Sequence, residues 1–312
     1  MSSIGVLKIA LLAGGTSSER EVSLKGAEGV KRALERLGHK YEFFDPAKDL
    51  PKLAQRAKEF DCAFLVVHGP GGEDGTLQGF LDSIGLPYQG AGVLGSALAM
   101  HKGISKSLYK LARLNVPEGK TFSKEVSFET IKAYGEKIGF PLVVKPATQG
   151  SSVGLSVVKK KEDLKNALEK AFSIDREIII EKYLKGKEIT VGVLDDKPLP
   201  VVEIVPKVSE IFDYETKYTP GLAEEICPAR LPERLTKKAQ EYGLIAHKTL
   251  KLRHYSRTDM IVAEDKIYVL ETNTIPGMTE TSLLPLAAKV AGYSFPALIQ
   301  KLLELTLKDR KT

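Results

Sequence analysis

The chain has 312 residues, 43% hydrophobic and 28% charged, with a net charge of +6 and no low-complexity tract. That describes a globular protein with room for two or three modules and excludes a disordered or fibrous one. The positive charge is spread out, and its densest run, Lys159 to Lys161, carries no interleaved aromatics, so nucleic acid is not an expected partner.

The opening "IGVLKIALLAGG" is interrupted by Lys8 and runs into a glycine turn, which reads as a first strand rather than a signal segment. No apolar run approaches the roughly 18 residues a membrane helix needs, so no membrane partner is expected. Cys62 and Cys227 suggest neither a disulfide framework nor a CxxC metal site, and a cytoplasmic location is expected. Asparagine occurs only at Asn115, Asn166 and Asn273 while Lys and Glu are plentiful, a composition that predicts heat adaptation.

In chain order, residues 7 to 13 predict a strand, 18 to 37 a helix ending at Gly38, and 41 to 45 a second strand. The strand "CAFLVVH" follows, then the loop "GPGGEDG" and another helical run. This alternation predicts a parallel sheet with crossover helices. "GSALAMHKGISKSLYKLARLNVP" predicts one long helix stopping before Pro117. Strands are expected at 141 to 146 and 153 to 159, a helix at 161 to 172, and a strand in "EIIIEKYL". Strands near 188 to 205, a loop from 207 to 228, a helix from 232 to 251, the hairpin "RTDMIVAEDKIYVLETN" and a helix after Pro296 complete the pattern. There is no internal repeat at a fixed period.

Several of these segments carry polar groups where a fold exposes them. Residues two apart in a strand share a face, so Glu271 and Asn273 project together, with Val269 and Ile267 continuing that face inward. A three-residue turn at 264 to 266 would set Asp259 opposite Glu271, and other turn lengths would shift that register. Hard oxygens converging this way suit magnesium bound to a nucleotide phosphate; a solvated hairpin end is the plain alternative.

In "VVKPATQGSSVGLSVV", Lys145 ends a strand and a small-residue loop follows, whose amides could wrap a phosphate; a flexible hairpin explains it as well. It is not a Walker A loop. Ser18 and Glu21 have capping-box spacing, although an acid at that helix start could also hold an ammonium group. His68 and Lys102 are single residues with ordinary structural explanations. Glu181 and Glu188 flank "KYLKGK" and could hold ribose hydroxyls and an exocyclic amine.

Taken in order, "GGTSSEREVS", "HGPGGEDGTLQG", "KPATQGSSVG", "EKYLKGKEITV", "YETKY", "RTDM" and "ETNTIPGMTETS" resemble the D-alanine:D-alanine ligase family of the ATP-grasp superfamily. The resemblance spans nearly the whole chain. It implies an α/β, three-domain ATP-grasp architecture: a Rossmann-like parallel domain over 1–99, a central α+β domain over 100–183, and a C-terminal α+β catalytic domain over 184–312.

It also implies site roles. Lys102, Lys145 and the loop Gln149, Gly150, Ser151 and Ser152 would bind phosphates, with Lys217 also on the nucleotide side; Glu181, Lys182, Leu184 and Glu188 would hold adenosine. Asp259, Glu271 and Asn273 would ligate two magnesium ions, with manganese as a substitute. Glu21 would take the ammonium of the first D-alanine in a group with Ser151 and Tyr218, near His68. Arg257 and the Gly277 N–H would stabilise the oxyanion, and Ser282 and Leu283 would start a helix facing the carboxylate of the second D-alanine.

The implied activity joins two D-alanines at the expense of ATP for peptidoglycan, in a cytoplasmic homodimer. Tyr218 fits an amine as second nucleophile; a ligase using D-lactate or D-serine and a non-catalytic nucleotide-binding module are the alternatives. His101 departs from the family, where aspartate often precedes this lysine. Loops 147 to 152 and 207 to 221 have the length and composition of lids.

Overall fold

The computed structural model describes residues 4–207 and 223–309. Strand β1 (Lys8–Leu12), helix α1 (Arg20–Arg36), β2 (Lys40–Phe44), α2 (Leu50–Arg56) and β3 (Cys62–Leu65) form the opening layer. Its sheet runs β2-β1-β3, all parallel, as the alternating pattern requires. Helix α1 buries Ala27, Val30, Ala33 and Leu34, a stripe of helical period. Truncating Leu34, fully buried, to alanine would cost about 2–5 kcal/mol.

Helices α3 (Thr76–Ser83), α4 (Val93–Met100) and α5 (Lys102–Leu111) follow. The single long helix expected from the sequence is broken at His101, whose backbone is extended at φ −86° and ψ 94°. The physical reason lies in the imidazole, which accepts the Ile104 N–H at 3.3 Å and caps α5. Its other nitrogen meets Glu177 at 2.8 Å. The new helix start lets the Lys102 N–H donate to the Ala147 carbonyl at 2.9 Å, so the break fixes where Lys102 begins.

A second sheet is antiparallel, in the order β4 (Gly119–Ser123), β7 (Glu177–Lys182), β5 (Leu142–Pro146), β6 (Ser156–Val158). Helices α6 (Phe128–Ile138) and α7 (Leu164–Phe172) cover it, with Ile131, Leu142, Val144, Leu164 and Ile180 in its core.

The third sheet contains β11 (Ala223–Ile226), β10 (Val202–Pro206), β8 (Lys187–Leu194), β12 (Tyr255–Ala263) and β13 (Lys266–Asn273) in that order, with β9 (Lys197–Pro198) paired to β8. Helix α8 (Glu233–Thr249) lies over it. Helix α9 (Leu283–Val290) and helix α10 (Phe295–Asp309) share a core with the first sheet. Helix α5 places Tyr109 in the core of the third sheet rather than of the second, with its hydroxyl donating to Thr272 Oγ1 at 2.7 Å.

The final hairpin differs from expectation in an instructive way. Its turn has two residues, Glu264 and Asp265, both at positive φ (49° and 61°), and pairs Ala263 with Lys266. On that turn alone Asp259 would face Leu270. A bulge between Asp259 and Met260 on one strand and Val269 and Glu271 on the other restores Asp259 opposite Glu271. The extra residue, Leu270, also switches faces: Ile267, Val269 and Thr272 are buried, while Glu271 and Asn273 are half-buried and line a small cavity. Val269 and Ile267 therefore do not continue the face of Glu271.

Candidate active site

The second and third sheets enclose a cleft of about 1090 Å³, counting the space open to solvent. Apolar Val143, Val157, Leu184, Ile189, Ile204 and Leu270 line it beside Lys102, Lys145, Glu181, Glu188, Asp259 and Glu271. Gln149, Ser152 and Lys182 also reach this wall. Apolar walls with a few convergent charges suit a ligand with a flat ring and an anionic tail.

Lysine side chains stand at the anionic end. Lys102 Nζ donates to the Gln149 carbonyl at 2.5 Å and lies 3.3 Å from Glu271 Oε2. Lys145 Nζ is 2.7 Å from Glu181 Oε1, with both side chains under one-tenth exposed. Burial pulls the Lys145 ammonium down, but Glu181 and Glu271 outweigh it and the net direction is up. Burial likewise opposes the Glu181 carboxylate, yet Lys106 and Lys145 hold it down to about 2.

The turn between β5 and β6 is tight. Ser151 and Ser152 take positive φ (48° and 58°), and Val153 N–H returns to the Gly150 carbonyl at 3.1 Å. Consecutive left-handed residues turn backbone amides to one side, which suits a phosphate. Of the two expected lids, 147 to 152 adopts this turn; residues 208 to 221 of the other lie outside the described residues, with Lys217 and Tyr218.

On the far side of Lys102 the acidic residues of β12 and β13 come together. Arg257 grips Asp259 by two hydrogen bonds, at 2.9 and 2.8 Å. Thr190 Oγ1 donates to Asp259 Oδ1 at 2.7 Å, and Asn273 Nδ2 to Asp259 Oδ2 at 3.2 Å. The donor set of Asp259, Glu271 and Asn273, all hard oxygens at one strand mouth, fits magnesium.

A smaller cavity lies behind it, lined by Glu73, Lys102, Gly150, Glu271, Asn273 and Thr274. The start of α1 meets the β5–β6 turn nearby. Helix α1 begins at Arg20 with Glu19 at its N-cap, and no side chain caps it, so the expected Ser18–Glu21 capping box is absent. Glu19 is 5% exposed and accepts a hydrogen bond from Ser151 Oγ, whereas Glu21 is exposed. The residue grouped with Ser151 is thus Glu19, not Glu21: two positions along a helix turn the side chain to the other face.

Glycines make room for Glu19. A Cβ at Gly69 or at Gly150 would lie 2.6 Å from Glu19 Oε2, so a side chain at either position would displace the Glu19 carboxylate. Upstream, Asp45 accepts from Arg20 Nη2 at 2.6 Å and from the Gly15 N–H at 2.9 Å, which fixes the turn before α1.

His68 is buried, and its Nε2 has no hydrogen-bond partner among the described residues. Burial pushes its pKa down, so it stands neutral. Glu73, absent from the sequence expectations, accepts the N–H groups of Gly69 and Ile275, each at 3.0 Å, and so ties the glycine-rich loop to the chain leaving β13. Gly277 follows on that segment: a Cβ there would lie 2.9 Å from Ser282 Oγ. Ser282 is the N-cap of α9, and Leu283 its first residue.

Lys106 is a further residue missed from the sequence. It lies one helical turn beyond Lys102, a spacing of four that could have drawn notice, and reaches Glu181 Oε2 at 2.5 Å.

Comparison with known proteins gives a consistent result. The family model for the D-ala D-ala ligase N-terminus matches residues 44–91, and that for the D-ala D-ala ligase C-terminus matches 108–304. A D-alanine–D-alanine ligase of Syntrophobacter fumaroxidans is 51% identical over 307 residues, covering 97% of this chain and 98% of that protein. One from Desulfotalea psychrophila is 50% identical over 311 residues, covering 98% and 96%. The crystal structure of D-alanine–D-alanine ligase from Bacillus anthracis complexed with ATP is similar with a TM-score of 0.86 at 34% identity, covering 98% of this chain and 99% of that one.

Proposed function

Because this chain belongs to the D-alanine–D-alanine ligase family, we propose that it joins two D-alanines into D-alanyl-D-alanine for peptidoglycan synthesis, converting ATP to ADP and phosphate. The observation that carries the reading is the meeting of an apolar-walled cleft bearing Lys102 and Lys145 with the Asp259, Glu271 and Asn273 oxygens and with Glu19–Ser151 around Lys102.

A carboxylate is a poor electrophile at neutral pH, so peptide-bond formation requires an acyl phosphate. In this reading the cleft holds ATP with adenosine against Glu181, Lys182, Leu184 and Glu188. Lys102, Lys145, Lys217 and the Gln149, Gly150 and Ser152 turn face its phosphates. Asp259, Glu271 and Asn273 would hold two magnesium ions, or manganese, which neutralise phosphate charge during transfer.

Glu19 takes the ammonium of the first D-alanine, with Ser151 and Tyr218 completing the group and neutral His68 beside it. This replaces Glu21 in that role. The second D-alanine attacks as a free amine, its carboxylate against Ser282, Leu283 and the α9 N-terminus. Arg257 and the Gly277 N–H face the tetrahedral oxyanion as fixed donors. The segment 207 to 221 acts as the lid that keeps water from the acyl phosphate.

We further propose a homodimer in the cytoplasm, with the domain boundaries near 99 and 183. None of the helices described is long and apolar enough to cross a membrane. Phosphate release with D-alanine, D-lactate or D-serine offered as second substrate tests the choice of nucleophile. Turnover with D-alanine is expected to exceed that with D-lactate at neutral pH, and a preference for D-lactate would overturn it.

A further inference from the structure

Glu181 holds a different lysine on each carboxylate oxygen: Lys106 on Oε2 at 2.5 Å and Lys145 on Oε1 at 2.7 Å. The two cations approach from different sides. Lys145 lines the cleft, as Glu181 does, whereas Lys106 does not and reaches the carboxylate from within α5. All are deeply buried, with Lys106 6%, Lys145 8% and Glu181 3% exposed.

Two ammonium groups on one carboxylate leave a buried positive charge in excess, which is unfavourable unless an anion arrives. Lys102 does not change that balance, because it is already paired with Glu271. An anionic ligand entering the cleft can reach Lys145 but not Lys106. Were Lys145 the only partner, its departure would strand a buried carboxylate without a cation.

We infer that Lys106 is the resident counter-ion of Glu181, a positioning residue that keeps the carboxylate charged and aimed into the cleft while Lys145 turns to a nucleotide phosphate. The inference rests on reading the cleft as the nucleotide site. It separates the two lysines by role: Lys145 is exchanged between Glu181 and the ligand, and Lys106 stays. Burial pulls the Lys106 ammonium down, against the raising effect of Glu181, to about 8, still above neutral pH. One turn of α5 thus couples the phosphate end of the cleft, at Lys102, to its adenosine end, at Lys106.

The test is the KM for ATP and kcat, at saturating D-alanine, of Lys106→Met, Lys106→Arg, Glu181→Gln and the double variant Lys106→Met/Glu181→Gln. Lys106→Met is expected to raise KM for ATP at least tenfold, with kcat within about threefold of the parent and KM for D-alanine unchanged. Lys106→Arg restores most of the loss because it keeps the charge. In the Glu181→Gln background, Lys106→Met adds nothing further, since there is no longer a charge to hold.

A folded Lys106→Met protein with unchanged KM for ATP, beside a raised KM in Glu181→Gln, overturns the inference and leaves the cleft reading intact. Unchanged KM in both overturns both. If Lys106→Met does not fold, the double variant, which leaves one buried ammonium (Lys145) without its carboxylate where Glu181→Gln alone leaves two, decides: a KM for ATP well above that of Glu181→Gln alone contradicts a role exercised through Glu181.

Discussion

Asp259 stands opposite Glu271 across the last hairpin only because a bulge at Leu270 adds back the residue that the two-residue turn leaves out. The same bulge buries Thr272, where it bonds Tyr109 and Thr258, and turns half-buried Glu271 and Asn273 to the smaller cavity. Register and facing are set by one irregular residue, so the carboxylates are held by a rigid ladder rather than by a loop.

Asp259→Asn keeps the shape of that mouth while removing one anionic oxygen. We expect the magnesium concentration for half-maximal rate to rise at least tenfold, and the melting midpoint to fall, because Arg257 loses its counter-charge and one of the two oxygens that accept from it. A magnesium titration of the initial rate checks this; an unchanged requirement would remove Asp259 from the metal site.

Glu19 and Glu21 separate cleanly by experiment. Glu19 is buried against Ser151, whereas Glu21 is exposed on α1. Glu19→Gln should lower kcat/KM for D-alanine about a hundredfold, a loss of roughly 2.7 kcal/mol, and Glu21→Gln by less than about threefold. Equal effects would mean that the helix start presents both acids to substrate.

Asp45 links acid stability to the same helix start. The Arg20 guanidinium, with the amides of Gly15 and Ala47, holds its carboxyl down to about 2 against the opposing effect of burial. A folded pKa below the unfolded 3.8 contributes stability that is complete above the unfolded value and lost as pH falls through the folded one. Asp45→Asn should therefore cost about 2 kcal/mol at neutral pH, with the difference from the parent shrinking between pH 4 and 2. Denaturant unfolding at a series of pH values measures it, and a constant difference across that range would assign the loss to something other than ionisation.

The parallel opening and the final hairpin were legible because each rests on local periodicity, whereas the α+β character of the second half followed only from the family resemblance. Asp259 opposite Glu271 was also expected, but for another reason: a three-residue turn and the two-residue turn with a bulge give the same pairing. The single helix expected through His101 failed because its apolar spacing runs on unbroken, while the break depends on a cap and on the Ala147 carbonyl from another element.

Glu19 was missed for a similar reason. Ser18 and Glu21 offered a local explanation, and the contact that matters, with Ser151, spans 132 positions. Glu73 binds backbone amides 4 and 202 positions away, which no pattern in a single sequence reports. Lys106 repeats Lys102 at helical spacing, but that spacing alone cannot tell a buried face from a solvated one.

The central claim is that D-alanine, bound at Glu19 and activated by phosphate from ATP, is consumed in pairs. The most direct measurement is ADP release on adding D-alanine, with L-alanine as control, alongside quantification of the dipeptide. The account predicts release with D-alanine only, and one D-alanyl-D-alanine formed per ADP. Release that is indifferent to the enantiomer, or absent with D-alanine, would contradict it.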